Sequence, residues 1–172
     1  MTTIKRFQTK YLSNTNIKKI LDLKNKHWKH GIKSQKKFFK TNMLPNDYHV
    51  LLFSKKKLIG YTAFRKRKII LNSSTRNYLL LDTIVILKKF RKKNFIKKLM
   101  LFNVDLIRKS KKCSFLFCNK ARSIFFKKYK WRILPKSKLS VEDKVTSKYC
   151  MYFNLNFNLK KKLAIKIFTS DS

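Results

Sequence analysis

The sequence predicts a mixed α/β domain, built from strands and helices that follow one another along the chain. The clearest indication is residues 79–100, LLLDTIVILKKFRKKNFIKKLM, where a long apolar run meets a charged turn and restarts with apolar residues at helical spacing. Composition supports a folded core, because 44% of the 172 residues are hydrophobic and 14% are aromatic. A chain of this length fits one domain.

The same periodicities predict the other elements in order. Strands are expected at residues 3–8, 49–52, 57–66, 79–87, 113–118 and 150–157. Helices are expected at residues 16–26, 34–40 and 121–129, and from residue 95 onward after the charged turn. The polar run 72–77, NSSTRN, is expected to be a loop. The domain is predicted to cover residues 1–157, followed by a basic C-terminal tail at 158–172 that forms a short helix, a strand or a disordered end.

The junction between the apolar strand and the next helix is where we expect a phosphate group to bind. Backbone N–H groups in a first helical turn have no intrahelical partner and carry the positive end of the helix dipole. Arg91, Lys92 and Lys93 add formal charge at this point. The sequence therefore predicts an anion site at the segment FRKKN, residues 90–94.

Three sequence motifs occur in order over residues 48–131, about half of the chain. In the central one, Ile86 is followed five positions later by Arg91 and then by Asn94 and Ile96, and these four residues fall on the fixed positions of the pattern V-x-x-x-x-[RQ]-x-x-G-x-[GA]. Upstream, HVLLFSKKKLIGYTAF has two strands around a charged turn and an Ile-Gly dipeptide. Downstream, SFLFCNKARSIFFKKYKW looks like a strand followed by a helix with the ending A-x-x-F-Y-x-x-x-G-[FW], with Phe126 and Lys130 at the Tyr and Gly positions. Together the motifs resemble the GNAT N-acetyltransferases.

This resemblance implies a central, mostly antiparallel sheet that is splayed between its fourth and fifth strands and flanked by helices. The opening would admit the pantetheine arm of acetyl-CoA, or of another acyl-CoA, as cosubstrate, and no metal is implied. The implied reaction is acyl transfer to a primary amine of a small molecule. The residues implied to contact the cosubstrate are Ile84, Ile86, Arg91, Lys92, Lys93, Asn94, Phe95, Ile96, Asn119 and Phe126.

The chain departs from the family pattern at positions that matter for chemistry. Asn94 and Ile96 stand where the family has small residues that let the pyrophosphate approach the backbone, and Phe126 replaces a frequent catalytic tyrosine. Codons rich in A and T encode the abundant Lys, Asn, Ile and Phe, so a biased genome is enough to explain a chain with only 2 glycines.

Asp82 is the candidate general base. Acyl transfer to an amine requires removal of the ammonium proton, and the chain has only 7 acidic residues. Asp82 lies four residues before Ile86 on the strand expected to line the cleft, and the resemblance places it at an acidic position that acts as a base or holds a water molecule. The alternative is a strand-end carboxylate that is paired with a lysine.

Candidate acceptor-binding residues are His27, Trp28 and His30 in the segment HWKHG, together with His49 at the start of a strand. An aromatic ring and imidazoles suit an acceptor pocket. The alternative is that His27 and His30 are surface residues beside lysines and that His49 is a hydrogen-bonded polar end of its strand.

The net charge of +38 is extreme for a domain of this size. It indicates either a solvated lysine-rich surface or attraction to anions and nucleic acid. The second hypothesis for function is accordingly a basic RNA- or ribosome-associated protein, with aromatic residues such as Phe38, Phe39, Phe115 and Phe117 for base stacking. For an acyltransferase, the charge predicts an acceptor with a carboxylate or phosphate beside its amine, such as a nucleotide-linked amino sugar.

The sequence also bears on location and assembly. No apolar run reaches the ~20 residues that a membrane helix needs, and the first ten residues lack the apolar core of a secretory signal. We expect a cytoplasmic protein that is a monomer or a homodimer. The 3 cysteines make no paired framework and are expected to be reduced.

Overall fold

The computed structural model describes residues 1–71, 73–91, 94–135, 139–141, 148–155 and 165–167. Within these ranges the chain forms nine strands and four α-helices. The strands are β1 (Thr2–Gln8), β2 (Tyr48–Ser54), β3 (Lys57–Leu71), β4 (Ser74–Ile86), β5 (Ser114–Cys118), β6 (Arg132–Ile133), β7 (Leu139–Val141), β8 (Tyr149–Phe153) and β9 (Ile165–Ile167). The α-helices are α1 (Asn14–Trp28), α2 (Ile32–Asn42), α3 (Phe95–Lys109) and α4 (Lys120–Lys127).

All nine strands belong to one sheet, in the order β1-β2-β3-β4-β5-β8-β6, with β9 beside β3 and β7. The ladders β1–β2, β2–β3, β3–β9, β5–β8 and β6–β8 are antiparallel. Strand β4 pairs with β5 in parallel through Leu79–Ser114 and Leu80–Phe115, although β4 continues to Ile86. The predicted α/β fold with a mostly antiparallel sheet that splays between its fourth and fifth strands is confirmed.

The chain divides into two compact units by its internal contacts. The first unit comprises Met1–Arg65 and Asp82–Asn103, and its core packs α1 and α2 residues such as Ile20 and Phe39 against strand residues such as Leu51. The second unit comprises Lys66–Leu81 and Val104–Ser172, with a core that includes Tyr78, Phe115 and Ile167. Within the described ranges, no helix has both the length and the apolar character that a bilayer crossing requires.

The sequence-based boundaries hold for most elements but fail at the hairpin of β3 and β4. The prediction of a loop at residues 72–77 is wrong, because β4 already begins at Ser74. Ser73 lies in the turn before it, with a φ of 69°. Residues 74–77 are polar because this end of the strand is exposed, so their polarity was mistaken for a loop. Asn72 lies outside the described residues.

The C-terminal part also differs from the expectation. Strand β8 ends at Phe153 because Asn154 adopts a φ of 58°. The sequence predicted that this strand would continue to residue 157, so the prediction placed its end too late. Residues 165–167, in the expected tail, form β9 and pair with residues 69–71 of β3. The domain boundary at residue 157 stays a prediction.

Gly60 of β3 has a packing reason in the first unit. A Cβ atom at this position would overlap Ile86 Cδ1 and lie 3.2 Å from Leu52 Cδ2. Ile86 is a buried residue at the end of β4, where the cosubstrate is expected to bind. The glycine therefore lets the β4 terminus lie close against β3, where Leu87 N–H donates to the carbonyl of Ile59 at 2.9 Å.

We predict that Gly60→Ala lowers the free energy of unfolding by about 1–3 kcal/mol, because it overpacks a buried contact. Ile86→Val removes the overlapping methyl group, so the double variant Gly60→Ala/Ile86→Val should be more stable than Gly60→Ala alone. Denaturant unfolding of the wild type, both single variants and the double variant measures this coupling. Equal stability of Gly60→Ala and the wild type would contradict the packing argument.

Candidate active site

A cavity of about 270 Å³ lies in the first unit among α1, α2 and β4. We call it the Asp82 pocket. Two helices supply an aromatic and polar wall, and β4 supplies the carboxylate. The lining residues are Lys24, Trp28, His30, Ser34, Gln35, Phe38, Asp82 and Thr83.

Asp82 is held from two sides. Its Oδ1 atom is 3.6 Å from Nη1 of Arg65, and its Oδ2 atom accepts a hydrogen bond of 3.0 Å from the Thr83 hydroxyl. The Arg65 side chain is only 8% exposed, and its Nε–H donates to the carbonyl of Asn42 at the end of α2. The Asp82 side chain remains 20% exposed, so its carboxylate is fixed and still reachable from the pocket. Its partner is thus an arginine, where the sequence suggested a lysine.

Lys24 is a pocket residue that sequence reasoning missed. Lys24 is only 5% exposed, and its Nζ atom lies 4.4 Å from the centre of the Phe38 ring. Burial lowers the pKa of Lys24, an effect that Asp82 opposes and Arg65 reinforces. One signal was present in the sequence, because Lys24 follows Ile20 by four residues and therefore lies on the buried face of α1.

The predicted acceptor residues separate into different places. Trp28 and His30 line the Asp82 pocket, as an acceptor-binding role requires. His27 lines a second cavity of about 270 Å³ around Arg91, where its Nδ1 atom is 2.6 Å from Arg91 Nη2. Because a guanidinium can only donate, Nδ1 of His27 is the acceptor in this arrangement.

His49 is part of the core. Its side chain is fully buried, with Nε2 2.8 Å from the Thr9 hydroxyl, Nδ1 2.7 Å from the Tyr61 hydroxyl, and its ring stacked on Phe39. Both ring nitrogens are occupied, so the predicted contact of His49 with an acceptor is contradicted by its position. The alternative, a hydrogen-bonded polar end of a strand, describes it correctly.

The predicted cosubstrate residues of the first unit surround the end of β4. Nε of Arg91 donates to the carbonyl of Ile86 at 3.2 Å, which ties the segment after β4 back onto the strand. Asn94 directly precedes α3, and its carbonyl accepts from Lys98 N–H, as the first intrahelical bond. Phe95 and Ile96 are half-buried in the first turn, as is Ile84 in β4. Lys92 and Lys93 lie outside the described residues.

The predicted cosubstrate residues of the second unit have structural partners of their own. Asn119 is the N-cap of α4, and its side chain accepts a hydrogen bond of 2.9 Å from Arg122 N–H. Phe126 is 9% exposed and packs against Phe125 and Trp131 at ring-centre distances of 5.2 and 6.1 Å. The described residues contain no group of three or more His, Cys, Asp or Glu side chains that could hold a metal ion.

Solved structures that share this fold include N-acetyltransferases. A GNAT family N-acetyltransferase, YhbS, from Escherichia coli in complex with CoA has a TM-score of 0.70 at 10% identity, covering 97% of this chain and 88% of that one. An acyl-CoA N-acyltransferase from Pseudomonas aeruginosa has a TM-score of 0.67 at 10% identity, covering 88% and 99%. The ribosomal-protein-S18-alanine N-acetyltransferase from Escherichia coli has a TM-score of 0.64 at 15% identity, covering 91% and 100%.

At the level of sequence, no protein-family model matches the chain, and no curated protein is significantly similar to it. Identities of 10–15% to these three structures establish the fold and leave the chemistry to be argued from the residues. The chain has the GNAT fold, which confirms the resemblance drawn from its three motifs.

The buried histidine predicts a specific pH dependence of stability. Burial, aided by the charge of Lys24, lowers the pKa of His49 to about 4 in the folded protein from an ordinary value of 6.5. The unfolded chain therefore takes up a proton between these two values while the folded chain does not, and stability falls as the pH drops from about 6.5 toward 4. This group alone accounts for a loss of about 3 kcal/mol.

The measurement is the free energy of unfolding between pH 7 and 4.5 for the wild type and His49→Gln. We expect the wild type to lose stability more steeply than His49→Gln over this range. The exposed His30→Gln provides the control, and its slope should equal that of the wild type. Parallel slopes for the wild type and His49→Gln would show that His49 does not resist protonation.

Proposed function

We propose that the protein is an acyl-CoA-dependent N-acyltransferase that transfers an acyl group, acetyl in the simplest case, to the primary amine of a small molecule. One observation carries the proposal. The Asp82 carboxylate, fixed by Arg65 and Thr83, faces a cavity of small-molecule size on a fold that N-acetyltransferases share.

In the proposed reaction, Asp82 accepts the proton of the acceptor ammonium, directly or through a water molecule. The amine nitrogen then attacks the thioester carbonyl, so that a C–N bond forms as the C–S bond breaks, and the nitrogen releases one more proton to water to give the amide. The leaving thiolate has a conjugate thiol pKa of roughly 8.5, like that of a free cysteine, and water can protonate it near neutral pH. Phe126 packs against Trp131 and has no ionisable proton. The proposed mechanism does not require a proton from this position.

The cosubstrate is proposed to bind at the end of β4 and the start of α3. The first turn of α3 follows Asn94 and offers backbone N–H groups to the pyrophosphate, with Arg91 and the neighbouring Lys92 and Lys93 as cations. The backbone beside Ile84 and Ile86 is proposed to orient the pantetheine arm. Arg91 already anchors this segment through the carbonyl of Ile86.

The nucleic-acid hypothesis receives less support. Two of the aromatic residues proposed for base stacking, Phe39 and Phe115, are 7% and 0% exposed, and Phe117 is half-buried. Phe38 is partly exposed, but it lines the Asp82 pocket beneath Lys24. Stacking platforms must present the ring face to solvent, so these aromatic residues favour a core role. Non-specific attraction of RNA by the net charge of +38 would weaken steeply with added salt.

Binding of acetyl-CoA tests the proposal first. Ligand at about 100 times its dissociation constant should stabilise the protein by roughly 2.7 kcal/mol, seen as a rise in melting temperature. Arg91→Gln should weaken the binding, whereas Lys36→Gln, which removes an exposed charge from α2, should not. No thermal shift at millimolar acetyl-CoA in low salt, together with tight, sequence-selective RNA binding at physiological salt, would favour the nucleic-acid hypothesis.

Asp82→Asn tests the chemistry. The substitution keeps the size of the side chain but removes the proton acceptor, so kcat should fall by roughly 10- to 10⁴-fold while the affinity for acetyl-CoA stays nearly unchanged. Asp105→Asn, at an exposed carboxylate paired with Lys109, should keep full activity. Circular dichroism must show that both variants are folded, because Arg65 loses its charged partner in the first. Wild-type kcat in folded Asp82→Asn would rule out the base assignment.

A further inference from the structure

We propose that Lys24 selects the acceptor, by binding a carboxylate that the acceptor carries beside its reacting amine. This inference rests on the proposed acyltransferase function and adds the substrate class and the residue that recognises it. Lys24 and Asp82 line the same cavity, so one side chain would bind the anionic end of an acceptor while the other faces its amine.

The position of Lys24 is unusual for a lysine. Most lysines on α1 are exposed, but Lys24 is turned inward with Ile20, Leu21 and Leu23. Its ammonium lies over the face of Phe38, a contact that favours the charged form of the side chain. Phe38 lines the same cavity, so the ammonium that lies over its ring is close to the cavity wall and has N–H donors for an anionic ligand.

The charges around the pocket are unequal. Asp82 is paired with Arg65, so a single negative charge faces the two positive charges of Arg65 and Lys24. The pocket therefore carries one excess positive charge in a partly desolvated place, where Coulomb interactions are stronger than in water. An acceptor carboxylate would neutralise this charge and reverse part of the effect by which burial lowers the pKa of Lys24. The same charge disfavours polyamines, which would add positive charge to the pocket without bringing a carboxylate.

The remaining walls limit the size and character of the acceptor. Trp28 and Phe38 provide apolar ring surface, and Ser34 and Gln35 provide hydrogen-bonding groups. A volume of about 270 Å³ lies just below the usual range of roughly 300–1,000 Å³ for ligand pockets. The class that fits is an amine of amino-acid size with a carboxylate and an apolar or aromatic side group.

The experiment compares acetylation of phenylalanine with that of phenylalanine amide, a pair that differs only in the carboxylate. Rates are expressed per free amine, because the two amines differ in pKa. In the wild type, kcat/KM should be higher for the carboxylate. In Lys24→Met the ratio of the two values should fall roughly tenfold to hundredfold, mainly through KM, as expected for loss of a charged hydrogen bond. Dividing by the amide cancels any general loss of activity.

Lys18→Met provides the matched control, since it removes an exposed lysine from the same helix, and its ratio should equal that of the wild type. If Lys24→Met does not fold, Lys24→Gln is used in its place. A wild type that prefers phenylalanine amide over phenylalanine overturns the proposal, and this result needs no variant. An unchanged ratio in a folded Lys24 variant that still acetylates amines overturns the role of Lys24 alone. Absence of acetyl-CoA binding and of all amine acetylation would instead overturn the proposed function.

Discussion

The candidate site depends on one ion pair, between Arg65 near the middle of β3 and Asp82 on the neighbouring strand β4. The arginine is nearly buried and also donates to the last turn of α2 through Asn42, so a single side chain connects two strands and a helix around the pocket. Asp82 is the more exposed partner, so loss of its charge would leave the nearly buried Arg65 guanidinium without a counter-charge, which is destabilising. The pair is best understood as a device that holds a carboxylate at a fixed place beside a cavity.

Three of the 7 acidic residues of this lysine-rich chain have partners that explain their positions. Asp47 is fully buried and accepts a hydrogen bond of 2.9 Å from Leu44 N–H in the turn before β2. Asp105 pairs with Lys109 one turn later in α3. Of these three aspartates, Asp82 is the one that lines the cavity among α1, α2 and β4. In a chain with a net charge of +38, cationic side chains are available to every carboxylate. The fold therefore decides that Asp82 lies beside Arg65 and Lys24.

The two glycines are also explained by local constraints. Gly31 precedes α2 with a φ of 81°, which side chains with a Cβ rarely adopt, and Gly60 has no room for a Cβ against Ile86. Positive φ values elsewhere are taken by lysine, serine and asparagine, for example Lys55 and Asn154. Residues other than glycine thus occupy several positions with positive φ in the described part of the chain.

The amino-acid sequence by itself determined six of the nine described strands and the four α-helices in their order, the strand-to-helix junction after Ile86 and the GNAT-like fold, because apolar periodicity and short motifs are local properties. The short strands β6 and β7 were not predicted, because two or three residues are too few to show a period. It also singled out Asp82, Trp28 and His30, which the tertiary structure brings to one cavity. Only the tertiary structure decided that Lys24 belongs to this cavity and that His49 does not. The spacing of Lys24 from Ile20 indicates the buried face of α1, but it does not show that a cavity lies against that face. The position of His49 depends on Thr9 and Tyr61, which are distant in sequence. The pairing of Arg65 with Asp82 is likewise a contact between strands, which no local pattern of residues specifies.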